Sequence, residues 1–316
     1  MKRTLKNLIL GTSVLAGMGA LFSSPALAVT FSVSGDNLYY ESNGTNTFLG
    51  GTNVTSVDLT GNSLAPGNNL ELGGNTSNQN TANFFNATTM TSTIGGNTIT
   101  FSSLTADDWF GAGNVTSSYG ANDFANDWFN AALDAYQFDA MFDLARFALG
   151  IDTNTQAAKV SLFNTFLNND GFQRASDPNI SYVNLEGDQV KVGLAGHYNL
   201  NDEILGLLAS NANPFILAYG GLDLFERALN TSPVQLSEVV KINYAGQEGL
   251  YSNFGASKSG QLELGDGKSH NGNYEVTLAA APSGNGNTAG TPEPVTILGS
   301  LTAAGVMAAA RRKKKQ

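Results

Sequence analysis

GGNTITF, residues 95–101, contains the clearest fold signal in the chain. The Gly-Gly-Asn run accepts the backbone angles of a tight hairpin turn, and residues 98–101 alternate polar and apolar side chains as a half-buried strand does. Similar β-type patterns occur at residues 30–33, 239–244 and 274–278. The sequence therefore predicts β-rich segments towards both ends of the protein, arranged like a sandwich.

The middle of the chain has a helical pattern. Apolar residues there recur at steps of three and four, which places them on one helix face: Phe129, Leu133, Tyr136, Ala140, Leu144 and Phe147. Gly150 supplies a stop signal. A second helix is predicted from Thr155 to Leu167, with Val160, Phe163 and Leu167 facing inward. Shorter helices are predicted at 202–209 and 222–229.

These patterns predict the α+β class, with β-rich segments flanking a helical middle. Residues 61–86 are rich in Gly and amides and poor in large apolar side chains, which predicts a long loop. The exported domain is expected to cover residues 29–280, followed by a flexible linker at 281–291.

The first 28 residues read as a secretory signal peptide. Three basic residues precede an apolar stretch, and Ala26-Leu27-Ala28 is a small-x-small cleavage site with Ala26 and Ala28 at its key positions. We expect the mature chain to start near Val29.

The amino-acid composition limits the classes of partner that this chain is expected to bind. Residues 29–294 hold eight basic residues against all 26 acidic ones, which leaves a formal charge of −18 there. Nucleic-acid binding needs clustered Lys and Arg, so we expect no nucleic-acid partner. The chain has no cysteine, so a buried core must stabilise it without disulfides.

The last 25 residues, 292–316, combine three ordered elements. Pro292-Glu293-Pro294 precedes sixteen uncharged residues, 295–310, and then Arg311, Arg312, Lys313, Lys314 and Lys315. As a helix the apolar run spans about 24 Å, which is short against a hydrocarbon core of about 30 Å. The basic end is expected to stay in the cytoplasm as a stop-transfer signal, so the run predicts a transient membrane span.

These three elements resemble the PEP-CTERM sorting signal of Gram-negative bacteria. The resemblance implies that an exosortase-type protease recognises Pro292-Glu293-Pro294 and that the body is sorted to the cell surface or extracellular matrix, often alongside exopolysaccharide. Residues 172–180 and 193–198 are also similar to stretches of PEP-CTERM proteins from cyanobacteria, a likeness that carries no chemistry. An ordinary C-terminal anchor that is never cut remains the alternative.

One acidic region suggests a different function. Seven aspartates lie near Trp109, Trp128 and Tyr136 in residues 107–143: Asp107, Asp108, Asp123, Asp127, Asp134, Asp139 and Asp143. Carboxylates beside aromatic rings are typical of sites that bind or cleave sugars, so this region is the basis of an alternative carbohydrate-binding function. The simpler interpretation gives the aspartates helix-end roles and the tryptophans core positions.

The remaining motifs favour no enzyme. His197 and His270 lie far apart without metal-ligand spacing, and no Gly-x-Ser-x-Gly, Walker or Rossmann motif is present. Residues 266–273 lack the alternating carboxylates of a calcium loop and predict a turn. We expect no catalytic residue, no metal site and no cofactor.

Overall fold

A computed structural model describes residues 29–73, 84–140, 142–143, 154–187, 189–201 and 234–279. Within these ranges the chain is β-rich, with two antiparallel sheets and few helices. The first sheet contains β1 Val29–Ser34, β4 Ser56–Leu59, β6 Thr89–Ile94, β7 Asn97–Ser102, β10 Val240–Tyr244 and β11 Gln247–Tyr251. The second contains β2 Asn37–Ser42, β3 Thr47–Thr52, β5 Asn69–Leu72, β8 Asn179–Glu186, β9 Gln189–Gly196, β12 Ser257–Lys258 and β13 Gly272–Ala279.

Strand order shows that distant parts of the chain meet in both sheets. The first sheet runs β11-β10-β7-β6-β1-β4, and the second runs β12-β13-β9-β8-β5-β2-β3. The predicted turn at residues 95–97 is confirmed: Gly95 and Gly96 have positive φ angles of 57° and 80°, and Ile94 pairs with Asn97. Because both turn residues need positive φ, the paired glycines suit a type I′ hairpin.

A main core lies between the sheets. β1 alternates as predicted, with Phe31 and Val33 buried, and its inward side chains join those of the second sheet in one apolar cluster. Leu70, Val192 and Leu194 contribute from the second sheet. Sandwich-like packing follows from this shared core, because each sheet buries one apolar face against the other.

The helices surround a second, aromatic core. They are α1 Ala106–Phe110, α2 Phe124–Ala135, α3 Thr155–Asn168 and α4 Gly171–Arg174. This aromatic core contains Leu104, Trp109, Phe110, Trp128, Phe129, Phe163, Phe172 and Val239 among its buried members. It gives the short helices an apolar partner that none of them provides alone.

The structure corrects three details of the expected middle. The predicted helix through residue 147 is interrupted, because α2 ends at Ala135 and Gln137 takes a left-handed φ of 51°. Residues 138–140 and 142–143 are helical again. The helix at 155–168 is confirmed, but only Phe163 is fully buried and Val160 is 36 % exposed. After the last described helix, β8 and β9 form a long hairpin at the centre of the second sheet, so the middle is not purely helical.

The expected loop at residues 61–86 is also partly wrong, since β5 lies inside it. The start of this loop, residues 61–63, packs across the outer face of the second sheet. Asn184 Nδ2 donates to the Gly61 carbonyl at 3.3 Å, and Asn273 Nδ2 donates to the Ser63 carbonyl at 3.0 Å. This cover buries β8 residues on both faces of the sheet.

Several expectations fall on residues outside the described ranges. These are the signal peptide, the helices at 202–209 and 222–229, the linker and the tail with its apolar run at 295–310. Among the residues that are described, no helix has the length and apolar character needed to cross a membrane.

Candidate functional site

The two tryptophans of the acidic region are core residues. Trp109 is 0 % exposed and Trp128 is 1 % exposed, and their rings meet edge to face with centroids 5.3 Å apart. Each indole has a buried partner, since Trp109 Nε1 donates to Ser176 Oγ at 2.7 Å and Trp128 Nε1 to Ser252 Oγ at 3.2 Å. Neither ring presents a face on which a sugar stacks, which corrects the role expected for them in carbohydrate binding.

The aspartates of the same region support local structure. Asp108 accepts hydrogen bonds from the backbone and hydroxyl of Thr105, as in a capping box, and pairs with Lys241 at 3.0 Å. Asp123 caps α2 by accepting from Asn126 N at 3.0 Å. Asp139 pairs with Lys159 at 2.7 Å. The structure therefore does not bring these carboxylates together into one site.

Other predicted site residues are not described by the structure. Ala26 and Ala28, the triplet Pro292-Glu293-Pro294 and the basic residues 311–315 all lie outside the described ranges. Residues 266–273 begin with the turn that the sequence predicts: Asp266 Oδ1 accepts from Lys268 N at 2.8 Å and from Ser269 N at 2.9 Å.

A different group of acids comes together at one end of the second sheet. We name Glu71, Asp177 and Glu238 the carboxyl cluster. Glu71 lies on β5, Asp177 lies two residues before β8, and Glu238 lies two residues before β10. Their sequence separations are long, so only the folded topology brings them near one another.

Asn179, the first residue of β8, connects the carboxyl cluster. Its backbone N–H donates to Glu238 Oε2 at 2.9 Å, and its side-chain Nδ2 donates to Glu71 Oε2 at 3.4 Å. Tyr40 OH donates to the same Glu71 oxygen at 3.2 Å. The strand register brings Glu71 and Asn179 together, because they lie directly opposite each other in the β5–β8 pair.

Several polar atoms around the carboxyl cluster are buried without a hydrogen-bond partner among the described residues. They are Asp177 Oδ1, Asn179 Oδ1 and both side-chain polar atoms of Asn69. Asn69 is 1 % exposed and lies two residues before Glu71, on the same face of β5. An unpaired buried polar group costs about 1–3 kcal/mol, so this region is less stable than the apolar core beside it.

All three residues of the carboxyl cluster are half-buried, and this partial burial together with their mutual charge makes the cluster hard to ionise. Burial raises the pKa of Glu71 to about 7, while hydrogen bonds from Asn179 and Tyr40 act in the opposite direction. The pKa of Asp177 lies well above its usual value because of burial and the nearby Glu71 charge, with a smaller opposing effect from Arg174. Burial and the charges of Asp177 and Glu71 raise the pKa of Glu238 in the same way.

A buried histidine lies beside this cluster. His270 Nδ1 is 2.7 Å from Thr47 Oγ1, and its ring meets the Tyr40 ring edge to face with centroids 4.7 Å apart. Burial lowers the pKa of His270 to about 4, so it is neutral at neutral pH. Glu263 is close enough to raise the pKa of Glu71 and has a pKa of about 7 itself, chiefly through its own burial.

The chemistry available to the cluster is proton exchange. In the part of the chain that the structure describes, no three His, Asp or Glu side chains are arranged to hold a metal ion. Shared protons would relieve the repulsion between these neighbouring half-buried carboxyls. Sequence reasoning missed the cluster because Glu71, Asp177 and Glu238 are isolated acids in the sequence. A sequence signal existed for Glu238 alone, which lies beside the predicted strand at residues 239–244.

Comparisons with family models, curated proteins and solved structures find no match to this chain.

Proposed function

We propose that the chain is an exported protein of the cell surface or extracellular matrix, delivered by its C-terminal tail and without an enzymatic role. The observation that carries this proposal is the order of the three tail elements: Pro292-Glu293-Pro294, the uncharged run 295–310 and the basic residues 311–315. The N-terminal signal peptide supports the same direction of transport.

The proposed route passes through the membrane. The signal peptide directs the body across, and residues 295–310 form a short transmembrane sorting helix whose basic end stays in the cytoplasm. Pro292 and Pro294 keep the adjoining backbone out of a helix, which suits recognition by an exosortase-type protease. The proposed partners are this protease, the membrane for a limited time, and extracellular polysaccharide at the destination.

The part of the chain that the structure describes suits an extracellular environment. Its two apolar cores form without any cysteine, so no oxidising or reducing step is needed to stabilise them. Its excess of acidic residues favours solubility. The alternative of carbohydrate binding through residues 107–143 is less favoured, because Trp109 and Trp128 are buried.

Replacing Pro292, Glu293 and Pro294 together by alanine is expected to abolish sorting in a host that carries the processing enzyme. The uncut apolar run would then keep the protein in the inner-membrane fraction, whereas the natural chain would reach the surface or medium. Fractionation and blotting with a tag in the exposed loop at residues 112–115 measure the distribution. Pro282→Ala in the linker is the matched control and should be sorted normally. Normal surface delivery of the triple variant would contradict the proposal.

A further inference from the structure

A short segment before β8 connects the aromatic core to both sheets. We name residues 175–179 the junction segment. Its carbonyls accept backbone hydrogen bonds from three separate parts of the chain: Val239 N to Ala175 O at 2.8 Å, Leu104 N to Ser176 O at 2.9 Å and Leu72 N to Pro178 O at 3.0 Å. Loosening this segment would therefore affect the first sheet, the second sheet and α1 together.

The carboxyl cluster surrounds the junction segment. Asp177 belongs to it, and Asn179 at its end donates to both Glu71 and Glu238. When one or more of the carboxyls are protonated, these hydrogen bonds hold the strands together with little repulsion. When all three are ionised, like charges from β5, the junction segment and the approach to β10 repel across a space that is only partly exposed to solvent.

The groups that face the cluster provide little positive charge. Tyr40 faces it from β2, Tyr274 from β13 and Glu263 from the segment before β13, while Arg174 acts on Asp177 from α4. Lys159, Lys191 and Lys241 each form an ion pair with an acid outside the cluster. Protons are therefore the neutralising species that the arrangement favours.

We propose that the carboxyl cluster is a proton-dependent clasp, closed around the junction segment in acid and loosened as the pH rises to neutral and above. This device goes beyond delivery to the surface and does not depend on it. It would make the body of the protein respond to the pH of its surroundings.

The direction of the pH effect follows from linkage. Each cluster acid binds its proton more tightly in the folded chain than in the unfolded chain, so its contribution to stability is fully present below the unfolded pKa. That contribution is lost as the pH rises through the folded pKa, which is about 7 for Glu71. His270 acts in the opposite direction, because its folded pKa of about 4 makes the protein less stable as the pH falls from 6.5.

The test compares the natural full chain with the triple variant Glu71→Gln, Asp177→Asn and Glu238→Gln, which carries neutral groups of the same shape. Thermal unfolding is followed at pH 5 and pH 8. We expect the melting temperature of the natural chain to fall by about 5 °C or more between these values. The triple variant should lose most of this fall. What remains reflects Glu263, whose folded pKa of about 7 lowers stability as the pH rises, opposed by His270. Glu248→Gln on β11, an exposed acid, should behave as the natural chain does.

A second measurement reports on the junction segment itself and remains useful if the triple variant does not fold. In the Trp128→Phe chain the remaining tryptophan is Trp109, whose indole donates to Ser176 next to Asp177. Its emission should shift between pH 5 and pH 8 well below the melting temperature. Adding Glu238→Gln should reduce the shift.

Two outcomes would overturn the proposal. One is an equal fall in melting temperature, or an equal emission shift, with and without the cluster substitutions. The other is stabilisation at pH 8 by millimolar Ca²⁺ in the natural chain but not in the variants, which would make the cluster a cation site instead.

Discussion

Phe172→Ala is expected to lower the free energy of unfolding by about 3–5 kcal/mol, the range for removing a large aromatic side chain from a packed core. Phe172 is 1 % exposed and lies at the centre of the aromatic core. Its ring contacts those of Trp109, Phe110, Trp128, Phe163 and Phe166. Removing it leaves a cavity between rings that come from three helices, which therefore have limited freedom to close it. Denaturant unfolding followed by circular dichroism measures the change.

Phe85→Ala is the matched control because it deletes the same atoms from a side chain that is 54 % exposed. Its effect should stay within about 0.5 kcal/mol, as is usual for surface positions. Similar losses for Phe172→Ala and Phe85→Ala would show that the aromatic core does not stabilise the fold.

Gly193→Ala is expected to lower the free energy of unfolding by about 2–3 kcal/mol, as overpacked cores do. A Cβ atom at residue 193 would lie 2.0 Å from the Tyr182 ring, which covers this glycine across the β8–β9 pair. The ring is fixed in place: it is 1 % exposed and its OH donates to Glu275 Oε2 at 3.0 Å. Either the ring must leave its site or the two strands must separate. Thermal unfolding of the full chain measures the loss.

The control is a double-mutant comparison of Gly193 with Tyr182. In a Tyr182→Ala chain, adding Gly193→Ala should cost much less than in the natural chain, because the clash has been removed. Gly255→Ala should be nearly neutral, since the nearest atom to its added Cβ is 3.7 Å away. If Gly193→Ala lowered the free energy of unfolding equally in the Tyr182→Ala chain and in the natural chain, this account of the strand pair would be contradicted.

Local sequence patterns predicted the strands in which buried and exposed side chains alternate, and the helix whose first turn is capped by a side chain. Residues 95–101 contain both the turn and the strand, and β1 and β10 show one buried face and one more exposed face. The helix at 155–168 begins as its sequence indicates, with the Asn154 side chain accepting from Ala157 N at 2.8 Å. Such features depend on near neighbours, so one sequence is enough to predict them.

Elements that depend on distant contacts were not predictable in this way. β8 is buried at six consecutive residues because a loop covers its outer face, so the alternation that marks a strand is absent. Beyond Ala135 the predicted helix face is wrong, because the expected inward residue Ala140 is exposed and the buried side chains are Phe138 and Phe142. The carboxyl cluster is another example, because its three acids meet only through strand order and register.

The most direct test of the proposed sorting function is the intact mass of the protein recovered from the surface or medium of a host that carries an exosortase. We expect a chain that starts near Val29 and has lost the basic residues 311–315 through cleavage near Pro292-Glu293-Pro294. A recovered chain that still carries Arg311 to Lys315 would contradict the proposal, because the tail would then be a membrane anchor and not a sorting signal.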